Sequence, residues 1–428
     1  MDGHSDLPYR VGAARMLFDP PVGLPMAGYA ARTGGAAGTH DDLYVRAVIV
    51  SDDRRSLCLL SADVLHVDAA LVAEIRAAIA AHLMVDPAAV MIAATHTHSG
   101  PAGLARGSPL PGAERYLGAY DADLARQFRA CCVEAATAAA VATIPARAVT
   151  GRGSARGVAG NRLERSGIVD PDVPWIAFVD RAGAIQACIF SFPCHPTVLD
   201  SENRLYSADL AGALCRRLEE VYDVGCALCL TGAAGNVSTR FTRRESSFSE
   251  AERLAAQIID TFSFETAQPD HEAACDYASM TMTLALKSCN LDEVRARLDE
   301  VERLLDASGA PERRAALLAE KLGLELALRP KSTTSETITT ELQVLRIGKS
   351  LIVCFPGEMF AEYGLALREC LPHTHVLIAG YANDYIGYVP TSEASSSYET
   401  AMAIVAPTAG EHLLEGALQL AQSMLVQL

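Results

Sequence analysis

The chain is short of positive charge: 36 lysines and arginines stand against 52 aspartates and glutamates, a formal net charge of -16 over 428 residues. A surface of that sign repels phosphate backbones and anionic lipid, which excludes a nucleic-acid partner and favours a small neutral or cationic one. No apolar stretch reaches membrane-spanning length before Arg, Glu or Asp interrupts it, so stable membrane insertion is not expected. The start, Met1-Asp2-Gly3-His4-Ser5-Asp6, has no basic segment followed by an apolar one, and the expected location is cytoplasmic.

Further absences narrow the chemistry. Gly151, Gly153 and Gly157 miss the dinucleotide spacing and precede no helical pattern, so NAD binding is unsupported. A G-x-S-x-G elbow is also missing, which argues against a serine hydrolase of the α/β type. The 12 cysteines lie mostly inside apolar segments (Cys131-Cys132, Cys188, Cys215, Cys354), as reduced core residues do, and imply no disulfide framework. Cys226 and Cys229 form a C-x-x-C, but i, i+3 spacing on a strand sends the thiols to opposite faces; the pair reads as structural. With no internal repeat and no Pro/Ser-rich linker, residues 1–428 read as one domain.

What is present is a 50% apolar chain, enough for a large core. Strand-like runs (45–51, 56–62, 89–95, 146–152, 175–179, 184–192, 225–230, 277–287, 337–347, 350–355, 375–380) alternate with helix-like ones (68–83, 121–142, 207–221, 248–262, 359–369, 409–425). This pattern predicts an α/β fold, mixed β-sheets layered with helices. Near 290–328, Leu291, Val294, Leu298, Val301 and Leu305 follow heptad-like spacing and predict an inserted helical hairpin, turning at Gly309-Ala310-Pro311 and packing on a sheet.

Candidate ligands stand where strands end. In Ala93-Ala94-Thr95-His96-Thr97-His98-Ser99-Gly100-Pro101, two imidazoles spaced i, i+2 follow an apolar run, and on a strand both rings share one face. His195 lies between Pro193 and Pro196 after the run 185–190, and Glu358 follows the Pro356-Gly357 break after the run 351–355. Singly, each is the satisfied polar cap of a strand; converging, they make a His, His, Glu set of the kind that holds catalytic zinc. The loop Gly232-Ala233-Ala234-Gly235-Asn236-Val237-Ser238 reads in isolation as an ordinary turn.

Taken together, Phe18-Asp19-Pro20-Pro21-Val22-Gly23, Met26-Ala27-Gly28-Tyr29, Gly38-Thr39-His40-Asp41, the THTHSGP stretch, Pro356-Gly357-Glu358 and the tyrosine-rich segment 381–399 resemble the neutral/alkaline, non-lysosomal ceramidases over essentially the whole chain. The resemblance implies a zinc amidase cleaving a linear N-acyl amide, with His96, His195, Glu358 and Tyr388 as ligands; the sequence alone does not separate Tyr388 from Tyr385. It implies His98, Arg162, Ser238 and Tyr398 as lining the catalytic pocket. Zinc then activates water, Glu358 or His98 takes its proton, and His98 or Tyr398 stabilises the oxyanion and protonates the leaving nitrogen. Ser238 and Arg162 orient the substrate, with Ser238 as nucleophile the competing mechanism.

Three departures stand out. The family's loop reads GDVSP or similar where this chain has Gly235-Asn236-Val237-Ser238-Thr239, and the spacing from Tyr388 to Tyr398 is shorter by a couple of residues. A carboxy-terminal β-sandwich domain is not expected, and the substrate is expected to be a small soluble N-acyl compound or a lipid-like one. The rivals are an amide-forming or acyl-transferring enzyme on the same scaffold and an inactive binding paralogue.

Overall fold

The computed structural model describes residues 7–425 apart from 107, 109, 111, 271, 273, 289, 308–310 and 329–334. Its principal strands are β1 Tyr9–Phe18, β2 Leu43–Ser51, β3 Ser56–Ala62, β4 Val90–Ala94, β5 Ile144–Ser154, β6 Asp172–Val179, β7 Ile185–Phe192, β8 Ala227–Thr231, β9 Cys275–Ala285, β10 Thr337–Ile347, β11 Ser350–Cys354 and β12 His375–Ala379. Its helices include α1 Ala69–Leu83, α2 Ala122–Val141, α3 Asp209–Tyr222, α4 Phe248–Ile259, α5 Leu291–Ala307, α6 Pro311–Ala327, α7 Ala361–Cys370, α8 Tyr398–Met402 and α9 Ala409–Leu425. The large sheet runs β8-β7-β6-β5-β1-β2-β3-β4, with Gln268–Pro269 beside β5, and the smaller runs β9-β10-β11-β12.

The two sheets pack face to face. Val48, Val50, Leu57, Leu59, Met91, Ile189 and Leu228 of the large sheet share one apolar layer with Leu345, Ile347, Ile352 and Leu377 of the small one. Alternate residues of the same strands, such as Val45, Ala47, Ile49, Cys58, Leu60, Val90 and Ile92, point outward under α1 and α2. Helices α3 and α4 cover the far half of the large sheet through Leu210, Leu214, Leu254 and Ile258, while α9 covers β9 and β10. The result is four layers: helices, sheet, sheet, helices. Strands buried on both faces explain the near-continuous apolar runs.

Helix ends follow local chemistry: Asp68 accepts from Leu71 N at the start of α1, Asp121 caps α2 and Ser247 caps α4. β1 escaped sequence prediction because its burial is mixed toward its end, with Arg10 and Arg15 facing outward. The hairpin is present as α5 and α6, its turn lying outside the described residues. Its partner differs from expectation: α6 packs on α8 rather than on a sheet, and Val301, Leu305, Leu317 and Leu324 form a separate small core. Among the described residues no helix is long and apolar enough to cross a membrane. All described cysteines except Cys370 are buried, and all are free thiols.

Candidate active site

Five strands, β4 and β7 and β8 from one sheet and β11 and β12 from the other, deliver their carboxyl ends to one place. β3/β4, β7/β8 and β11/β12 are parallel pairs, so each pair opens its loops on the same edge. The loop after β12 is stitched to β4: Asn383 Oδ1 accepts from Ile92 N, and its amide donates to Gln343 of β10.

His96 does not sit on a strand. β4 ends at Ala94, and His96 adopts φ +65, the left-handed region that costs an ordinary side chain free energy. The shared face expected from i, i+2 spacing is therefore replaced by a turn, which still brings His96 Nε2 to 3.3 Å from His98 Nε2. Tyr381 and Asn383 are also left-handed, at φ +56 and +64, and the Tyr381 ring stacks on His96 with centroids 3.9 Å apart. Three strained residues around one cluster mark a place where geometry has been favoured over local comfort.

Backbone carbonyls fix the imidazole tautomers. His96 Nδ1 donates to Leu65 O at 2.7 Å, and His195 Nδ1 donates to Ala234 O at 2.7 Å. A carbonyl only accepts, so in each neutral ring Nε2 carries a lone pair and points inward. Glu358 completes the cluster: its Oε2 lies 2.9 Å from His195 Nε2 and 3.5 Å from His96 Nε2, and its Oε1 accepts from Tyr385 Oη at 2.6 Å. His96, His195 and Glu358 are each almost fully buried. His96, His98 and His195 offer ligand atoms within 4.8 Å of one another.

Burial governs the charge states. It lowers His195 to about 4, helped by the Arg162 guanidinium, and holds His98 well below its ordinary value, helped by His96 and His195. Burial works to raise Glu358, but a proton carried by the His96 or His195 ring beside it outweighs that and holds the carboxyl well below its usual range. With Nδ1 committed to a carbonyl, a neutral His195 ring would set its Nε2 lone pair against Glu358 Oε2, and His98 Nδ1 is buried without a hydrogen-bond partner among the described residues. Buried imidazole nitrogens beside one carboxylate oxygen are a donor set that suits a divalent cation.

The other sequence candidates lie around this core. Arg162 Nη2 donates to Gly235 O and to Tyr388 Oη, at 2.7 and 3.0 Å, while its Nε pairs with the buried Glu399 at 2.7 Å. Tyr388 and Tyr398 meet edge to face with centroids 5.9 Å apart. Both line one pocket with His96, His98, Glu358 and Tyr385, whose apolar side is Leu65, Leu110, Tyr116 and Met402. Ser238 is buried in the short strand Val237–Ser238 that pairs with Gly160–Asn161, and its Oγ accepts from Arg240 N at 3.2 Å. Asn236, where the family's loop has a carboxylate, accepts from Ala361 N and donates to Glu362 Oε2. A carboxylate could not make that second bond, so an amide suits the start of α7.

Sequence reasoning missed Tyr381, Glu399 and His66. Glu399 follows Tyr398 directly, and its ion pair with Arg162 needs the fold. His66 ends the β3 run as His96 ends β4, so the strand-end rule could have found it. It is buried with both ring nitrogens unpartnered among the described residues, 5.0 Å from the Tyr385 ring, and burial lowers its pKa to about 3.

Fold and site together define a four-layer α/β protein with a buried imidazole and carboxylate centre at its strand ends. Residues 9–227 match the family model described as neutral/alkaline non-lysosomal ceramidase, N-terminal, and the chain belongs to that family of amide hydrolases. It is 25% identical over 481 aligned positions to the neutral ceramidase of Pseudomonas aeruginosa strain PAO1, covering 94% of this chain and 70% of that protein. Two solved structures share the fold, each with a TM-score of 0.77. A ceramidase complexed with C2 is 20% identical, covering 99% of this chain and 76% of its own. The neutral ceramidase from Pseudomonas aeruginosa is 21% identical, covering 99% and 75%.

Proposed function

We propose that the protein is a zinc-dependent amidase hydrolysing the linear N-acyl bond of a small or lipid-like substrate, with the whole chain acting as one catalytic unit. The observation that carries this reading is His195 Nε2 at 2.9 Å from Glu358 Oε2 while its Nδ1 is held by a backbone carbonyl; in the neutral ring these are two facing acceptors, which a cation would reconcile. His96, His195 and Glu358 would hold the zinc. Tyr388 would join them, because the Arg162 guanidinium donates to its oxygen and favours negative charge there, whereas Tyr385 keeps its proton in the bond it donates to Glu358. Bound there, zinc supplies Lewis acidity that polarises an amide carbonyl and makes water nucleophilic near neutral pH.

The remaining chemistry belongs to the side chains. His98, kept neutral by burial, takes a proton from the attacking water at a ring nitrogen and returns it to the leaving amine. The Tyr398 phenol donates to the oxyanion, and Arg162 holds Tyr388 in place. Ser238 orients the substrate. The apolar side of the pocket, Leu65, Leu110, Tyr116 and Met402, suits the hydrocarbon next to the amide.

The test is a panel of N-acyl amines, N-acyl amino acids and ceramides of graded chain length, compared by kcat/KM for zinc-loaded and chelator-stripped protein. Soluble short-chain and medium-chain amides are expected to be cleaved fastest, with activity lost on stripping and restored by zinc. Full turnover by protein carrying no metal would overturn the mechanism, and a preference for long-chain ceramide would overturn the substrate class.

A further inference from the structure

The wall of the pocket that carries Tyr398 is a helix of five residues, Tyr398–Met402, too short to hold itself. Its supports are on α6. Gly323 faces α8 so closely that a Cβ there would stand 3.2 Å from Tyr398 Cδ2, 3.2 Å from Tyr398 O and 3.1 Å from Ala401 Cβ. One turn earlier, the buried Glu320 accepts from Ser396 Oγ and from Arg297 Nε of α5, the latter at 2.8 Å. Ser396 immediately precedes the cap of α8, Ser397. A cavity of about 190 Å³ lies between hairpin and α8, lined by Val294, Leu324, Thr400 and Ala403 among others, so packing over that region is incomplete. The ring of Tyr398 is thus pinned between Gly323 and Tyr388.

We propose that the α5–α6 hairpin is a positioning device for the reaction, with Gly323 and Glu320 as positioning residues that set where the Tyr398 phenol stands in the histidine pocket. This rests on the role given to Tyr398 above. A helix-interior glycine is less favourable than alanine, so a helix that needed only to be a helix would gain from the exchange. At position 323 the added carbon gains helix propensity and pushes on the tyrosine. The two consequences carry opposite signs and can be read separately.

The experiment compares wild type, Gly323→Ala, Gly323→Leu, Tyr398→Phe and Gly323→Ala/Tyr398→Phe on a soluble N-acyl amine, with crystal structures of the two single Gly323 variants. The alanine variant is expected to match or exceed wild type in Tm. Its kcat should fall by roughly threefold or more at nearly constant KM, with at least tenfold for leucine. The double variant should be no slower than Tyr398→Phe alone, because both changes act on one phenol. Unchanged kcat in Gly323→Ala and Gly323→Leu, or losses that multiply in the double variant, would overturn the hairpin's role while leaving that of Tyr398 intact. A fully active Tyr398→Phe would bring down the role of Tyr398 itself, and the hairpin's with it. Should no variant or wild type turn over the amide, the crystal structures decide the positioning: a Tyr398 ring undisplaced in Gly323→Leu sinks it.

Discussion

Gly28 lies flat against the imidazole of His98: a Cβ at position 28 would stand 2.5 Å from both Cγ and Nδ1 of that ring. The backbone there has φ +98, which side chains rarely adopt, and the next residue, Tyr29, packs on the same ring with centroids 4.8 Å apart.

Gly28→Ala should therefore imitate the loss of His98. We expect both Gly28→Ala and His98→Ala to lose roughly two to four orders of magnitude in kcat, the range for a lost general acid or base, while retaining metal. Metal content by elemental analysis alongside steady-state kinetics checks this. Metal loss in His98→Ala equal to that in His96→Ala would place His98 among the ligands.

One zinc per chain is expected in protein purified without chelator. His96→Ala and His195→Ala should each lose it, because each removes an inward Nε2 whose tautomer a backbone carbonyl fixes. Less than about a tenth of an equivalent in wild type, with no uptake on adding zinc, contradicts the donor set's affinity.

No acyl-enzyme should form on Ser238. Its Oγ accepts from Arg240 N, and no imidazole bond to it is present among the described residues, so a serine nucleophile would lack the adjacent base it needs. Intact-mass measurement on rapidly quenched turnover should show unmodified protein; a kinetically competent adduct at Ser238 would replace the water mechanism.

His375 should make the fold acid-sensitive. Its Nε2 donates to Trp175 O at 3.1 Å, and burial lowers its pKa from 6.5 to about 4. The unfolded chain binds a proton that the folded chain refuses between those values. The neutral ring's contribution is therefore complete above pH 6.5 and lost as pH falls toward 4, by up to about 3 kcal/mol. In His375→Gln, which keeps a donor for Trp175, the gap in urea midpoint between pH 7.5 and pH 4.5 should narrow. An unchanged gap rules the residue out as a source.

The alternation of elements was legible because strands buried on both faces are almost wholly apolar and helices are not. For the same reason the sequence could not say which face of β2, β3 or β4 met the second sheet: Val48 and Ile49 are equally apolar and point to opposite layers. The strand-end residues His96, His195 and Glu358 stood out as polar groups after apolar runs, and they do converge. The left-handed turn at His96 was hidden, since a positive φ is imposed by tertiary contacts. The two phenols also divide only in three dimensions, Tyr385 on Glu358 and Tyr388 under Arg162. The hairpin's heptad-like spacing showed its own small core but not that α6 would lean on a five-residue helix.

Imidazoles from the ends of β4 and β7 meet a carboxylate from the end of β11, across an apolar layer that neither sheet could leave exposed. Occupancy of the centre is consequently a gauge of sheet docking. A ligand bound at a thousand times its Kd would latch the two halves by about 4 kcal/mol. Any stress that slides one sheet over the other should weaken cation binding there while every strand is still intact.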